Sequence, residues 1–164
     1  MLVIFGGLPG TGKTTVAKAL ARALGATYLR IDTIEQAIRT ASGRAVEAEG
    51  YVAAYALAGD NLALGRIVIA DSVNPISVTR TAWRAVAKAA HVPALEVEIL
   101  CSDAADHRRR LESRVSDIPG LVQPTWAEVI ARPYEDWGAG PLRFDTAQLS
   151  ADQIVATLLD RLAL

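Results

Sequence analysis

Residues 7–14 read Gly-Leu-Pro-Gly-Thr-Gly-Lys-Thr and follow the apolar run 2–5 after a single glycine; an amphipathic stretch, 14–24, comes next. The pattern Gly-x-x-x-x-Gly-Lys-[Ser/Thr] constrains a fold because it works in only one context, between a strand and a helix. The strand delivers the chain, the glycines let it curl, and successive N–H groups turn inward as an anion nest. The helix N-terminus adds its positive dipole end. Leu8, Pro9, Gly10, Thr11, Gly12, Lys13, Thr14 and Thr15 are therefore assigned to a nucleoside triphosphate. Lys13 is expected to face the β- and γ-phosphates rather than to pack, and the Thr14 hydroxyl to hold Mg²⁺.

Five short apolar runs, at 2–5, 27–31, 67–70, 95–100 and 142–144, alternate with helical patterns. That alternation predicts an α/β fold with a parallel sheet covered on both faces. Helices are expected over 13–24, closed by Gly25, and over 34–41, 45–64, 78–90 and 103–116. A last helix opens at the capping box Ser150-Ala-Asp-Gln153 and runs to the C-terminus. With 164 residues and no linker or repeat, residues 1–164 read as one domain. A net charge of −1 and only three lysines argue against nucleic acid as the main ligand. No apolar run is long enough to span a bilayer, and the N-terminus lacks the basic segment of a signal peptide, so a cytoplasmic location is expected. The single cysteine, Cys101, ends an apolar run and is expected to be a buried thiol.

Three further sites carry chemistry. Asp32 lies just past the second strand, 19 residues after Lys13. Open parallel sheets bind ligands at the carboxyl ends of their strands, so Asp32 can take the proton of an attacking hydroxyl. It can equally cap a helix beginning near Thr33. Asp71 ends the strand Ile-Val-Ile-Ala, where a carboxylate can hold Mg²⁺ opposite Thr14. Arg110 and Arg114, four apart in a charged helix, can share one face and clamp phosphates or stack on a base. The turn-rich segment 116–124 after them suggests a lid over about 104–126. Their neighbours Arg108 and Arg109, and His107, read as surface residues.

These features in this order resemble the P-loop kinase group that includes polynucleotide kinase, chloramphenicol phosphotransferase, gluconate kinase and zeta-type toxins. Asp71-Ser-Val-Asn74-Pro with Arg80-Thr-Ala-Trp83 resembles the polynucleotide kinase segment after its third strand. The resemblance implies a three-layer sheet of order 2-3-1-4-5, a lid, ATP with Mg²⁺, Asp32 as catalytic aspartate and Arg110 and Arg114 as lid arginines. Lys13, Asp32, Arg110 and Arg114 are then the expected catalytic set, with a small-molecule hydroxyl (antibiotic, sugar or nucleoside-like) as acceptor. Arg39, Tyr51, Tyr55, Asn74 and Arg80 are further candidates for the acceptor site; those in the 39–64 region can equally be ordinary helix surface with two half-buried tyrosines. Two rival functions stand beside this one: a 5′-hydroxyl polynucleotide kinase, and a nucleotide-dependent switch or toxin-like protein with a protein partner. Neither the oligomeric state nor the choice of ATP over GTP follows from these residues.

Overall fold

The computed structural model describes residues 1–162. Its five strands are β1 (Leu2–Gly6), β2 (Thr27–Arg30), β3 (Val68–Asp71), β4 (Ala94–Leu100) and β5 (Leu142–Asp145). They form one sheet in the expected order β2-β3-β1-β4-β5, with every pairing parallel. The helices among the described residues are α1 (Lys13–Leu24), α2 (Ile31–Ser42), α3 (Glu49–Ala63), α4 (Ser77–Ala89), α5 (Ala104–Ser113), α6 (Trp126–Ala131) and α7 (Ala151–Leu162). The expected continuation of the last helix through residues 163–164 lies outside the described residues.

The central strand shows why the sheet must be covered twice. Successive side chains of β1 point to opposite faces, and all of them are buried. Val3 and Phe5 join Val16 and Leu20 of α1 and Ile154 and Leu158 of α7 in one core. Leu2 and Ile4 join Ala54 and Ala58 of α3 and Trp83 of α4 in the other. Parallel pairing brings all five carboxyl ends to one edge, and Phe5, Asp71 and Arg30 lie side by side in register there.

Several element boundaries differ from expectation, each for a local reason. Helix α2 starts three residues early, at Ile31, because that apolar side chain is needed in the core below α3. Helix α3 starts late, at Glu49, whose carboxylate accepts the Glu47 N–H at 2.7 Å and pairs with Arg44 at 2.8 Å ahead of it. Helix α5 ends at Ser113, and Arg114 is already extended at φ −71°, ψ 137°. The chain leaves the helix there to bury Ile118 and to carry Asp117 back to α1 and β2. Helix α6 was not anticipated, although Thr125-x-x-Glu128 is a capping box in the sequence and forms one in the fold.

Candidate active site

The loop between β1 and α1 is built by its own residues and roofed by α5. Gly12 forms the N-cap of α1 at φ 90°, with no side chain capping the helix and no acid in its first turn, so the N–H groups there stay open to an anion. The Thr11 hydroxyl donates to the Leu8 carbonyl at 2.9 Å and closes the loop. Above it, His107 donates from Nε2 to the Pro9 carbonyl at 2.8 Å and meets the Trp126 ring edge-on at 5.1 Å. His107 is thus buried, not a surface residue, because the inward face of α5 rests on the loop. Gly10 is required beneath it: at φ +89°, an added Cβ would sit 3.1 Å from His107 and from Leu111.

Under the loop, Lys13 pairs with Asp71, and both are buried. Lys13 lines the cleft and is largely buried there, with the Asp71 carboxylate at the end of β3 as its countercharge. Tyr28 donates to the other Asp71 oxygen at 2.5 Å. Burial opposes charge on Asp71, but Lys13, Tyr28 and Thr14 outweigh it and hold its pKa below the usual carboxylate range. The same contact, with burial first, pushes the Tyr28 phenol well above its ordinary value, so it stays a donor. A charged, oxygen-only pair of Asp71 and Thr14 beside the nest fits a hard cation such as Mg²⁺.

A cleft of about 1030 Å³ opens along the carboxyl edge of the sheet. Residues 8–10 and 12–15 line one end; Asp32, Glu35 and Arg39 of α2 line the other, with Arg110 and Arg114 between. Thr11 is buried beneath the loop rather than in the wall. Asp32 lies in the first turn of α2 and does not cap it, since Arg30 is the N-cap. Its carboxylate, 39% exposed, stands 3.8 Å from the Arg30 Nε atom, which has no hydrogen-bond partner. Asp117 from the loop after α5 closes over this end. It pairs with Arg30 Nη1 at 2.7 Å and with Lys18 of α1, and those two contacts hold its carboxyl far below the usual range.

Arg110 and Arg114 reach the same cleft by different routes. Arg110 donates to the Thr146 hydroxyl at 2.9 Å and carbonyl at 3.1 Å and pairs with Asp106, while Thr146 donates to the Thr11 carbonyl at 2.7 Å. It is thereby coupled to the phosphate loop through one threonine. Arg114 does not share a helix face with it, because α5 has ended. Its Nε donates to Gln123, and burial lowers its pKa, with Asp32 opposing and Arg30 reinforcing the shift. Among the described residues, no carboxylate forms an ion pair with it.

The remaining acceptor candidates lie elsewhere. Tyr51 and Tyr55 pack against the core between α3 and α4, and the Tyr55 hydroxyl is turned to the Thr79 carbonyl at 3.4 Å. Tyr55 also meets Trp83 edge-on at 4.6 Å, and burial pushes its phenol up to about 12. Asn74 is buried and donates to the Phe5 carbonyl at 2.8 Å. Arg80, also buried, donates to the carbonyls of Asn74, Glu135 and Asp136 at 3.3, 3.1 and 3.2 Å and covers the Trp137 ring. Neither lines the cleft: Asn74 ties the loop after β3 to β1, and Arg80 holds the carbonyls of Glu135 and Asp136. Cys101 sits past the end of β4, partly exposed, its thiol near the Asp103 carbonyl. Sequence reasoning missed Arg30, Glu35 and Asp117. Two had a signal: Arg30 is a charge ending a strand, and Glu35 lies one turn beyond Asp32.

Residues 2–130 match the AAA domain family AAA_33. No curated protein matches the chain in sequence. Among solved structures, the APS kinase CysC of Mycobacterium tuberculosis in complex with AMPPNP and APS superposes with a TM-score of 0.72 at 21% identity, covering 99% of this chain and 97% of that one. Chaetomium thermophilum Kti12 in complex with ADP-AlF3 gives 0.71 at 25%, covering 98% of each. A gluconokinase from Sinorhizobium meliloti 1021 gives 0.64 at 20%, covering 98% and 94%. The shared architecture is that of small P-loop kinases.

Proposed function

The chain belongs to the AAA domain family AAA_33, and from that membership we propose that it is an ATP-dependent kinase acting on a hydroxyl of a small molecule. The observation that carries this reading is that one cleft holds both the phosphate loop and the Asp32 carboxylate. APS kinase and gluconokinase neighbours support phosphoryl transfer to a small molecule as the reaction class. The whole chain, 1–164, is read as one kinase unit.

In the proposed reaction the acceptor oxygen attacks the γ-phosphorus, the bond to the β–γ bridging oxygen breaks, and ADP leaves. The acceptor proton passes to Asp32. Lys13 exchanges the Asp71 carboxylate for the β- and γ-phosphate oxygens, and the open N–H groups at the start of α1 take the rest of the charge. Thr14 and Asp71 would hold Mg²⁺, which neutralises charge shared between the β- and γ-phosphates. Arg30 and Arg114 are the donors aimed at the transferring group. The unpartnered Nε of Arg30, and the place of Arg114 in the cleft wall, support that role. Arg110, already tied to Thr146 over the loop, fits the base or the α-phosphate side.

The test is a panel of hydroxyl acceptors scored for ADP release above the acceptor-free rate, with product phosphorylation confirmed by mass. A second reading is a nucleotide-dependent switch. Val115 and Val122 favour it, 92% and 88% exposed on the segment that covers the cleft, where a protein partner could sense the nucleotide state. Turnover that no acceptor stimulates would favour the switch. Transfer to an oligonucleotide 5′-hydroxyl would favour the polynucleotide reading.

A further inference from the structure

Helix α2 lays Asp32, Glu35 and Arg39 along the cleft wall. Their spacing, i, i+3 and i+7, puts them on one helix face. Asp32 and Arg39 are two turns apart, about 10 Å along the axis. Arg132, just past α6, lines the same cleft, near enough to Glu35 for its charge to be felt there. Arg39 donates only to the neutral Gln36 amide, at 2.6 Å. Among the described residues, neither Arg39 nor Arg132 pairs with any carboxylate. Glu35 lies close enough to feel both guanidinium charges, yet its carboxyl is raised above the usual range, first by burial and then by Asp32. Its stem is packed against α3, where a Cβ on Gly50 would fall 2.3 Å from Glu35 Cγ. Glu35 is therefore held back from the arginines by packing. Glu128 also lines the cleft and feels the Arg132 charge, but its Oε2 is engaged by the Thr125 N–H and hydroxyl rather than by a guanidinium.

We propose that the acceptor is an anionic hydroxy compound, its carboxylate, phosphate or sulfate group held by Arg39 and Arg132 at the far end of the cleft while its reacting hydroxyl lies at Asp32. The inference rests on the kinase reading above. Two turns of helix, about 10 Å, separate Asp32 from Arg39, and Arg39 already leans back one turn to Gln36, so the anion and the attacked hydroxyl lie within about that distance of each other. Glu35, between them, suits a further hydroxyl on the connecting chain. A neutral or amine-bearing acceptor would leave both guanidinium groups unpaired, and an amine would be repelled by them.

The experiment uses matched acceptors on sugar, polyol and nucleoside scaffolds, each as neutral, carboxylate, phosphate, sulfate and amine forms. Each is titrated calorimetrically into the full chain saturated with Mg²⁺ and AMPPNP, and tested in parallel for ADP release with ATP. The expected result is that the best-bound compound is anionic and binds at least tenfold tighter than its neutral counterpart. Arg39→Gln and Arg132→Gln should each shrink that ratio severalfold through KM rather than kcat, while Arg39→Lys keeps part of it. Unchanged AMPPNP affinity would show that the variants are folded. The carboxylate, phosphate and sulfate arms identify the anion. Preference for a neutral or amine form overturns the proposal, as does an anionic preference untouched by either substitution, or no discrimination on any scaffold. Anion binding without ADP release would keep the proposal and sink the kinase reading, so the two failures are distinguishable.

Discussion

Asp32→Asn separates a catalytic carboxylate from a structural one by magnitude. Asp32 sits in the first turn of α2, where its charge complements the helix dipole, and its contact with Arg30 is long, at 3.8 Å. The dipole term is worth about 0.3–1 kcal/mol, and an ion pair this exposed adds at most about the same. No cap is lost, because Arg30 is the N-cap and α2 has no side-chain cap. The stability cost should therefore be about 1 kcal/mol, a fall in Tm of roughly 2–4 °C for a chain of this size. If Asp32 takes the acceptor proton, turnover should fall about 10²–10⁴-fold, or roughly 3–5 kcal/mol of barrier. The predicted loss in rate thus exceeds any loss explicable by destabilisation. The assay is acceptor-dependent ADP release under saturating MgATP, with Tm and AMPPNP affinity measured on the same preparation. AMPPNP binding should change less than threefold. Turnover within a few-fold of wild type would refute the assignment and leave Asp32 as a helix-dipole residue.

Lys13→Ala should abolish transfer and also destabilise the fold by about 3–5 kcal/mol, because it strands the buried Asp71 carboxylate. Thermal denaturation checks this, and Lys13→Ala with Asp71→Asn should recover much of the loss. Arg110→Ala and Arg114→Ala should each lower kcat more than ATP affinity, measured by steady-state kinetics and calorimetry. Amide exchange over residues 114–124 should slow when AMPPNP supplies Arg114 with an anion, and Asp117→Asn should speed it in the free protein by releasing Lys18 and Arg30; equal protection in all three states would make the segment a fixed wall. Glu35→Gln should raise Tm at pH 7. Because the Glu35 pKa is raised in the fold, its ionised form is penalised above that pKa, and the gain should vanish as pH falls below the ordinary glutamate range.

Much of this site could be read before any fold was seen, and for a physical reason. The phosphate loop is local: nest, lysine and helix start lie within eight consecutive residues, so the chemistry needs no long-range contact to be recognised. The strand alternation that places Asp32 and Asp71 at the same sheet edge is also a local signal, repeated along the chain. The parallel sheet and its two covered faces followed from those runs, while its strand order came from family resemblance. What the tertiary structure decided are matters of partnership. Asn74 and Arg80 carry the side chains of a binding site, but backbone carbonyls from distant segments claim their donors. His107 sits among charged neighbours in sequence, yet it is buried because the opposite face of its helix meets the loop. Arg114 has the spacing of a helix partner of Arg110 but leaves the helix, since Asp117 is drawn to Arg30 and Lys18, 87 and 99 residues away in the chain, and Ile118 is buried. Helical spacing shows which side chains share a face only while the helix lasts. Where it ends, and which charges remain unpaired, depends on groups brought together by the fold.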